Sequence, residues 1–331
     1  MTVLVAPDSF KGTYTAAEVA SHIGTGVRRA GGTAVEVPVA DGGEGTFEAL
    51  CAGLGAQTVR VPARNPWGAP TEALLGLAGD TAVVELSQAS GLHTPHDGYR
   101  DPVAADTYGT GMVIAEAARR GARHILVAAG GSATTDGGAG AVRAIQDSGG
   151  LDGARITVLS DVATTFIEAA RVYGPQKGAG PDTVELLTER LRALATEMPR
   201  NPSGVPRTGA AGGFSGGLWA HFGAELVSGA DAVLDAVGFD RHLARASAVV
   251  VGEGRLDSQT GQGKIIHAIL RRVADQAPAV PVFAVVGSVA ADLGDYRRHF
   301  ADVMVAGEPA AMLRAGQEIA ATLRPLASAT C

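Results

Sequence analysis

The sequence predicts an α/β protein of two domains: a parallel-sheet domain that holds both termini, and a second α/β domain inserted into it. Three observations carry this reading. The chain has 331 residues, roughly twice the ~150 of an ordinary domain. At both ends, short β-branched runs alternate with alanine-rich amphipathic stretches, which is the pattern of βαβ units and parallel sheets. In the middle, strands separated only by turn residues interrupt that alternation.

The elements follow in order. Val3–Ala6 is an apolar strand closed by the turn signal Pro7-Asp8-Ser9. Thr15–Ala30 places Ala16, Val19, Ala20, Ile23 and Val27 at helical spacing. Ala34–Val39 is a second strand that enters ADGGEGT, and Phe47–Ala52 is the helix behind it. Thr58–Val61, Glu72–Leu77 and Thr81–Leu86 are short strands divided by NPWGAP and AGD, a hairpin-like series. Asp106–Arg120 is helical, His124–Ala128 is a buried strand entering GGSATTDGGAG, and Asp182–Met198 is an amphipathic helix. Ala248–Val251, Pro281–Val286 and Asp302–Ala306 are strands that each run into glycine or GEGRLD, and a closing helix covers about Ala310–Leu323. The expected domains are therefore 1–58 with 241–331, and 59–240.

Composition removes several classes. A net charge of −7 leaves no basic footprint for nucleic acid or an anionic membrane. No run of eighteen apolar residues is present, and the first residues lack the cationic start of a signal peptide. Two cysteines, Cys51 and Cys331, make no disulfide framework, so the cytoplasm is the expected compartment. Assembly into a homo-oligomer stays open. Two biases stand out. Gly (46) and Pro (16) together make about 19% of the chain, against a usual ~12%. Of 27 basic residues only Lys11, Lys177 and Lys264 are lysines, and each has a glycine beside it.

Five glycine-rich segments stand at strand ends or helix starts: PDSFKG (7–12), ADGGEGT (40–46), GGSATTDGGAG (130–140), GPQKGAG (174–180) and GEGRLDSQTGQGK (252–264). Glycine admits positive φ and close backbone approach, and N–H groups at such turns make anion sites. Neither standard nucleotide motif fits. A P-loop ending at Gly263-Lys264 would need glycine where Ser258 stands, and a dinucleotide fingerprint from Gly43 would need glycine where Glu48 stands. Gly130, Gly131, Ser132, Thr134 and Asp136 still have the ingredients of a phosphate cradle; the competing reading is a strand-to-helix turn with a hydroxyl cap. Asp8, Asp41, Glu44, Asp136, Asp161, Glu253 and Asp257 lie in or beside these loops. Phosphoryl transfer needs carboxylates to hold Mg²⁺ and to accept the proton of the attacking hydroxyl. For any one of them the competing reading is a helix cap or an Asx turn. Lysine is the compact charge suited to phosphate, arginine the planar fork suited to carboxylates. No GxSxG elbow is present and the histidines are scattered, so a hydrolase triad is not expected.

In this order APDSFKG, VPVADGGEGT, VELSQASGL, RDPVAADTYGTG, GGSATTDGGAG, YGPQKGA, GAAGG and GEGRLDSQT resemble the bacterial glycerate kinase family of the glycerate 2-kinase type, over Val3 to about Gly287. The resemblance implies two unlike α/β domains with the active site in the cleft between them. It also implies ATP- and Mg²⁺-dependent phosphorylation of D-glycerate to 2-phosphoglycerate. With it come candidate roles. Lys11, Asp41 and Asp257 are the expected catalytic groups, with Asp41 or Asp257 as proton acceptor. Asp8, Ser9, Glu44, Arg64, Arg100 and Arg255 are expected on the acceptor, Arg255 first among the arginines. Gly130, Gly131, Ser132, Thr134, Asp136, Gln176, Lys177 and Lys264 are expected on the nucleotide, and Asp161, Glu253 and Asp257 on the metal. Two departures bear on substrate choice. Thr135 stands where the family has asparagine. The segment before Asp161 is a few dozen residues shorter, and Asp161–Phe166 reads DVATTF where the family continues DV-x-NPL. A kinase for another small hydroxy acid or polyol, and a non-catalytic sensor that keeps the cleft, are the alternatives.

Overall fold

A computed structural model describes residues 1–257, 265–290 and 293–323. The fold is α/β, and the chain divides into two units, residues 1–41 with 233–331 and residues 42–232.

The first unit opens with β1 (Thr2–Pro7), α1 (Ala16–Arg29) and β2 (Thr33–Glu36). The second runs through α2 (Thr46–Leu54), β3 (Gln57–Arg64), β4 (Pro70–Ala78), β5 (Thr81–Glu85), α3 (Leu86–Ser90) and α4 (Tyr108–Arg119). It continues with β6 (His124–Ala128), α5 (Ala139–Asp147), β7 (Arg155–Leu159), α6 (Ala169–Tyr173), α7 (Pro181–Glu197), α8 (Phe214–Phe222) and β8 (Glu225–Val227), and α9 (Gly229–Ala236) spans the division after Ala232. The chain then completes the first unit with α10 (Phe239–Leu243), β9 (Ala248–Leu256), α11 (Ile265–Gln276), β10 (Val282–Val289), β11 (Asp302–Val305) and α12 (Pro309–Thr322).

The first unit is built on a five-stranded, wholly parallel sheet, order β11-β10-β9-β1-β2. Its three central strands, β1, β9 and β10, open with buried apolar runs, the pattern of a parallel sheet covered by helices, and the edge strands β2 and β11 are partly exposed. Val3, Val5, Val250 and Val285 meet Val19, Ile23 and Val27 of α1 and Met312 and Ile319 of α12 in one core. α1 starts at a capping box: the Glu18 amide donates to Thr15 Oγ1 (3.2 Å) and the Thr15 amide to Glu18 Oε2 (2.8 Å). α1 and α12 approach closely at Gly26 and Gly316, where an added Cβ would run into the other helix's backbone.

The second unit has a six-stranded mixed sheet, order β3-β4-β5-β6-β7-β8. β3, β4 and β5 form the expected antiparallel series, and β5 to β8 are parallel. Two expectations change here. The first division falls after Asp41, not residue 58, because α2 packs on β4 and β5 of the second unit although it follows β2 in the chain. The second division falls after Ala232, not residue 240. The short segment before Asp161 is a compact return from α5 to β7 through Gly149, Gly150, Asp152 and Gly153, all at positive φ. Among the described residues no helix is long and apolar enough to cross a membrane.

Candidate active site

Ligands of parallel sheets bind beyond the carboxyl ends of the strands, and in the first unit that end carries a cavity of about 530 Å³. The turn after β1 contributes Asp8, Ser9 and Lys11; the segment after β2 contributes Asp41; the far end of β9 contributes Glu253 and Arg255, and Asp257 follows it. Gly287 and Ser288 of β10 complete the wall. Glycine is required at 287 because a Cβ there would stand 2.6 Å from the Gly254 carbonyl oxygen of the neighbouring strand.

The turn carrying Asp8 is well anchored. Its amide donates to the Gly252 carbonyl (2.8 Å), and the Phe10 carbonyl accepts from the Thr13 and Tyr14 amides (2.8 and 3.1 Å). The Ser9 amide donates to Asp8 Oδ1 at 2.6 Å. Burial, and next the Asp41 carboxylate, push the Asp8 carboxyl up to about 7, with Glu253 adding to the rise; the Ser9 amide and Lys11 pull the other way. Ser9 Oγ is buried and has no hydrogen-bond partner among the described residues. The Tyr296 hydroxyl is in the same condition, and its phenol is raised by burial and by the charge of Glu253. Tyr296 was not expected from the sequence, since LGDYRRH matches no motif.

The cavity therefore gathers six of the residues expected in catalysis or on the acceptor, namely Asp8, Ser9, Lys11, Asp41, Arg255 and Asp257, together with Glu253. Arg64 and Arg100 lie in the second unit and are engaged there. Arg64 pairs with Asp106 at 2.9 Å and stacks 3.8 Å over the Tyr108 ring. Arg100 donates to the Leu92 carbonyl at 2.8 Å. Glu44 and Gln176 are exposed on the second unit, and Lys264 lies outside the described residues.

The GGSATTDGGAG loop joins β6 to α5, and its side chains turn inward. Asp136 Oδ2 accepts from the Thr107 amide and hydroxyl (2.9 and 2.8 Å) and from the Gly140 amide (3.0 Å), and Oδ1 accepts from the Gly138 amide (3.1 Å). Ser132 Oγ accepts from the Thr134 amide (3.0 Å) and pairs with Thr134 Oγ1 (2.9 Å). Lys177, 7% exposed, donates from Nζ to the Thr134 carbonyl at 2.5 Å; burial lowers its ammonium to about 7 against the opposing pull of Asp136. The groups expected in a phosphate cradle are thus engaged within the protein: Ser132 and Thr134 bond one another, and Asp136 holds amides of the loop and both polar groups of Thr107. The glycines also meet backbone. A Cβ on Gly130 would strike the Gly43 Cα, and the Gly130 amide donates to the Gly42 carbonyl at 3.1 Å. Asp161, expected on a metal, caps α9: its oxygens accept from Ser228 Oγ (2.8 Å) and from the Gly229 and Ala230 amides (both 3.0 Å). Among the described residues no group of three or more His, Cys, Asp or Glu is arranged to hold a metal ion.

Comparison with known proteins places this architecture. The model of the glycerate kinase family matches residues 3–150 and 146–330, two stretches that overlap at 146–150. A glycerate kinase of Halalkalibacterium halodurans is 36% identical, over 87% of this chain and 86% of its own. The glycerate 2-kinase of Escherichia coli is 34% identical, over 92% and 90%. The crystal structure of a candidate glycerate kinase 2 from Salmonella typhimurium superimposes with a TM-score of 0.82 at 32% identity, covering 98% of each chain.

Proposed function

The chain belongs to the glycerate kinase family, and from that premise we propose that it transfers the terminal phosphoryl group of ATP to D-glycerate in the cytoplasm, releasing 2-phosphoglycerate and ADP. The observation that carries the reading is the cavity of the first unit, which gathers two cations and four carboxylates at the ends of parallel strands.

Phosphoryl transfer asks of a protein mostly positioning and neutralisation of charge. Arg255 offers a planar fork to the carboxylate of the acid, and Lys11 a compact charge to the transferring phosphoryl. Asp41 or Asp257 accepts the proton of the attacking hydroxyl, a role that requires hydrogen-bond reach. Asp8, with its carboxyl raised to about 7 by burial and by Asp41, carries part of its proton near neutral pH, which lessens its repulsion of an incoming acid. Magnesium takes oxygen ligands and needs only one or two protein carboxylates, with waters and phosphates supplying the rest. Glu253 and Asp257 fit that requirement. When bound, the ion would draw charge from the phosphate oxygens. In the second unit, Asp136 and Thr107 hold the amides at the start of α5, and Lys177 ties the GGSATTDGGAG loop through the Thr134 carbonyl.

The test is ADP release by the purified chain with ATP, Mg²⁺ and D-glycerate, with the product's phosphorus-to-proton coupling distinguishing the 2- from the 3-phosphate. No ADP above the rate without acceptor would refute the proposal. The altered Asp161–Phe166 segment favours one second reading, a different small hydroxy acid as acceptor. Faster turnover with another three- to five-carbon acid in the same assay would select it.

A further inference from the structure

Within the turn after β1, polar groups find partners except at the cavity. The Phe10 carbonyl takes the Thr13 and Tyr14 amides and the Thr13 hydroxyl, and the Ser9 amide is held by Asp8. Ser9 Oγ is the exception. Ser9 is 5% exposed, lines the cavity, and its hydroxyl has no partner among the described residues. A buried hydroxyl without a hydrogen bond is costly, and such an orphan in a cavity wall marks a contact that a ligand completes. Rotation about χ1 carries a serine hydroxyl between staggered wells about 120° apart without moving the backbone.

The other groups of the wall narrow what Ser9 meets. Arg255 and Lys11 suit the anionic ends of a small acid and a phosphoryl group. The carboxylates suit the hydroxyl that gives up its proton, and a cation. Ser9 is a neutral donor and acceptor, and its complement is a neutral hydroxyl. We propose that Ser9 is a specificity-determining residue whose hydroxyl reads the acceptor hydroxyl that is not phosphorylated, so that the cavity selects a dihydroxy acid over a monohydroxy acid. This rests on the proposed function, with the C2 hydroxyl as the one transferred.

The experiment pairs a protein change with a ligand change. D-lactate is D-glycerate without its C3 hydroxyl. Calorimetric affinities for both acids are measured on the wild type and on Ser9→Ala. The wild type is expected to bind D-glycerate roughly tenfold tighter than D-lactate, the usual worth of one hydrogen bond to a site built for it. Ser9→Ala is expected to lose that roughly tenfold on D-glycerate and nothing on D-lactate. Its unfolding midpoint without ligand stays at or above the wild-type value, because the substitution removes an unpaired group. Equal losses on both acids, no loss on either, or a lowered midpoint would each overturn the assignment. The ADP-release assay separates the two readings: a wild type active on D-glycerate with a silent Ser9→Ala rejects Ser9 alone. A wild type that neither binds nor phosphorylates D-glycerate rejects both.

Discussion

Asp8→Asn is the most informative single change, because it removes a titration and leaves the shape of the side chain. The folded carboxyl sits near 7 against an ordinary 3.8, burial being the first cause and Asp41 the second. A carboxyl that holds its proton more tightly when folded adds stability that is complete below the unfolded value, and that stability is lost as pH rises through the folded one. At pH 5 the folded group is protonated and the unfolded one mostly ionised, a contribution on the order of 2–3 kcal/mol at about 1.4 kcal/mol per tenfold in proton affinity. At pH 8 both are ionised and the contribution is close to zero. The assay is hydrogen exchange at amides of β1 and β9, since Trp67 and Trp219 both lie in the second unit and fluorescence would not report on the first. The wild type should lose on the order of 2–3 kcal/mol more than Asp8→Asn between pH 5 and pH 8. Equal losses in the two proteins would refute the raised, buried carboxyl.

Three further outcomes are expected. Lys177 binds its proton less tightly folded than unfolded, so the second unit should gain about 2 kcal/mol between pH 7 and pH 9; urea unfolding followed by tryptophan fluorescence should show that gain in the wild type and not in Lys177→Met. Asp161→Ala should lower the unfolding free energy measured in urea by about 1 kcal/mol, the worth of a cap, and leave the magnesium dependence of turnover unchanged; a weakened magnesium dependence would return Asp161 to the metal. Gly130→Ala should cost the second unit about 2 kcal/mol or more by driving a Cβ into the Gly43 backbone, and an unchanged urea midpoint would contradict that packing.

Much of the fold was legible because its signals are local. The Val3–Ala6 run, the helical spacing of Thr15–Ala30 and the NPWGAP and AGD turns each needed only neighbours in the chain. The division after Asp41 was not, because a strand–turn–helix reads the same whichever sheet the helix covers. Arg155–Leu159 and Glu225–Val227 are short strands whose place is fixed by pairing across the sheet, and pairing leaves no local mark. In the site, PDSFKG and GEGRLD stood out as loops, and the parallel pairing of β1 with β9 is what gathers them around one cavity. Asp136 and Asp161 show the limit of reading acids in glycine loops: both satisfy backbone amides, the capping role that competed with a ligand role from the start. The three lysines likewise part company. Lys11 lines the cavity, Lys177 is buried against a carbonyl, and Lys264 falls outside the described residues.

The register of β1 against β9 pairs Val3 with Ala248, and this sets a schedule for the nascent chain. At roughly 5–20 residues per second, β1 waits on the order of 10–50 s for the strand that lies beside it, while every strand of the second sheet has already been made. Leu4 and Val5, wholly buried in the finished sheet, are without their β9 neighbour throughout that interval. Translation speed and chaperone access over those seconds thus become part of how this cavity comes to exist.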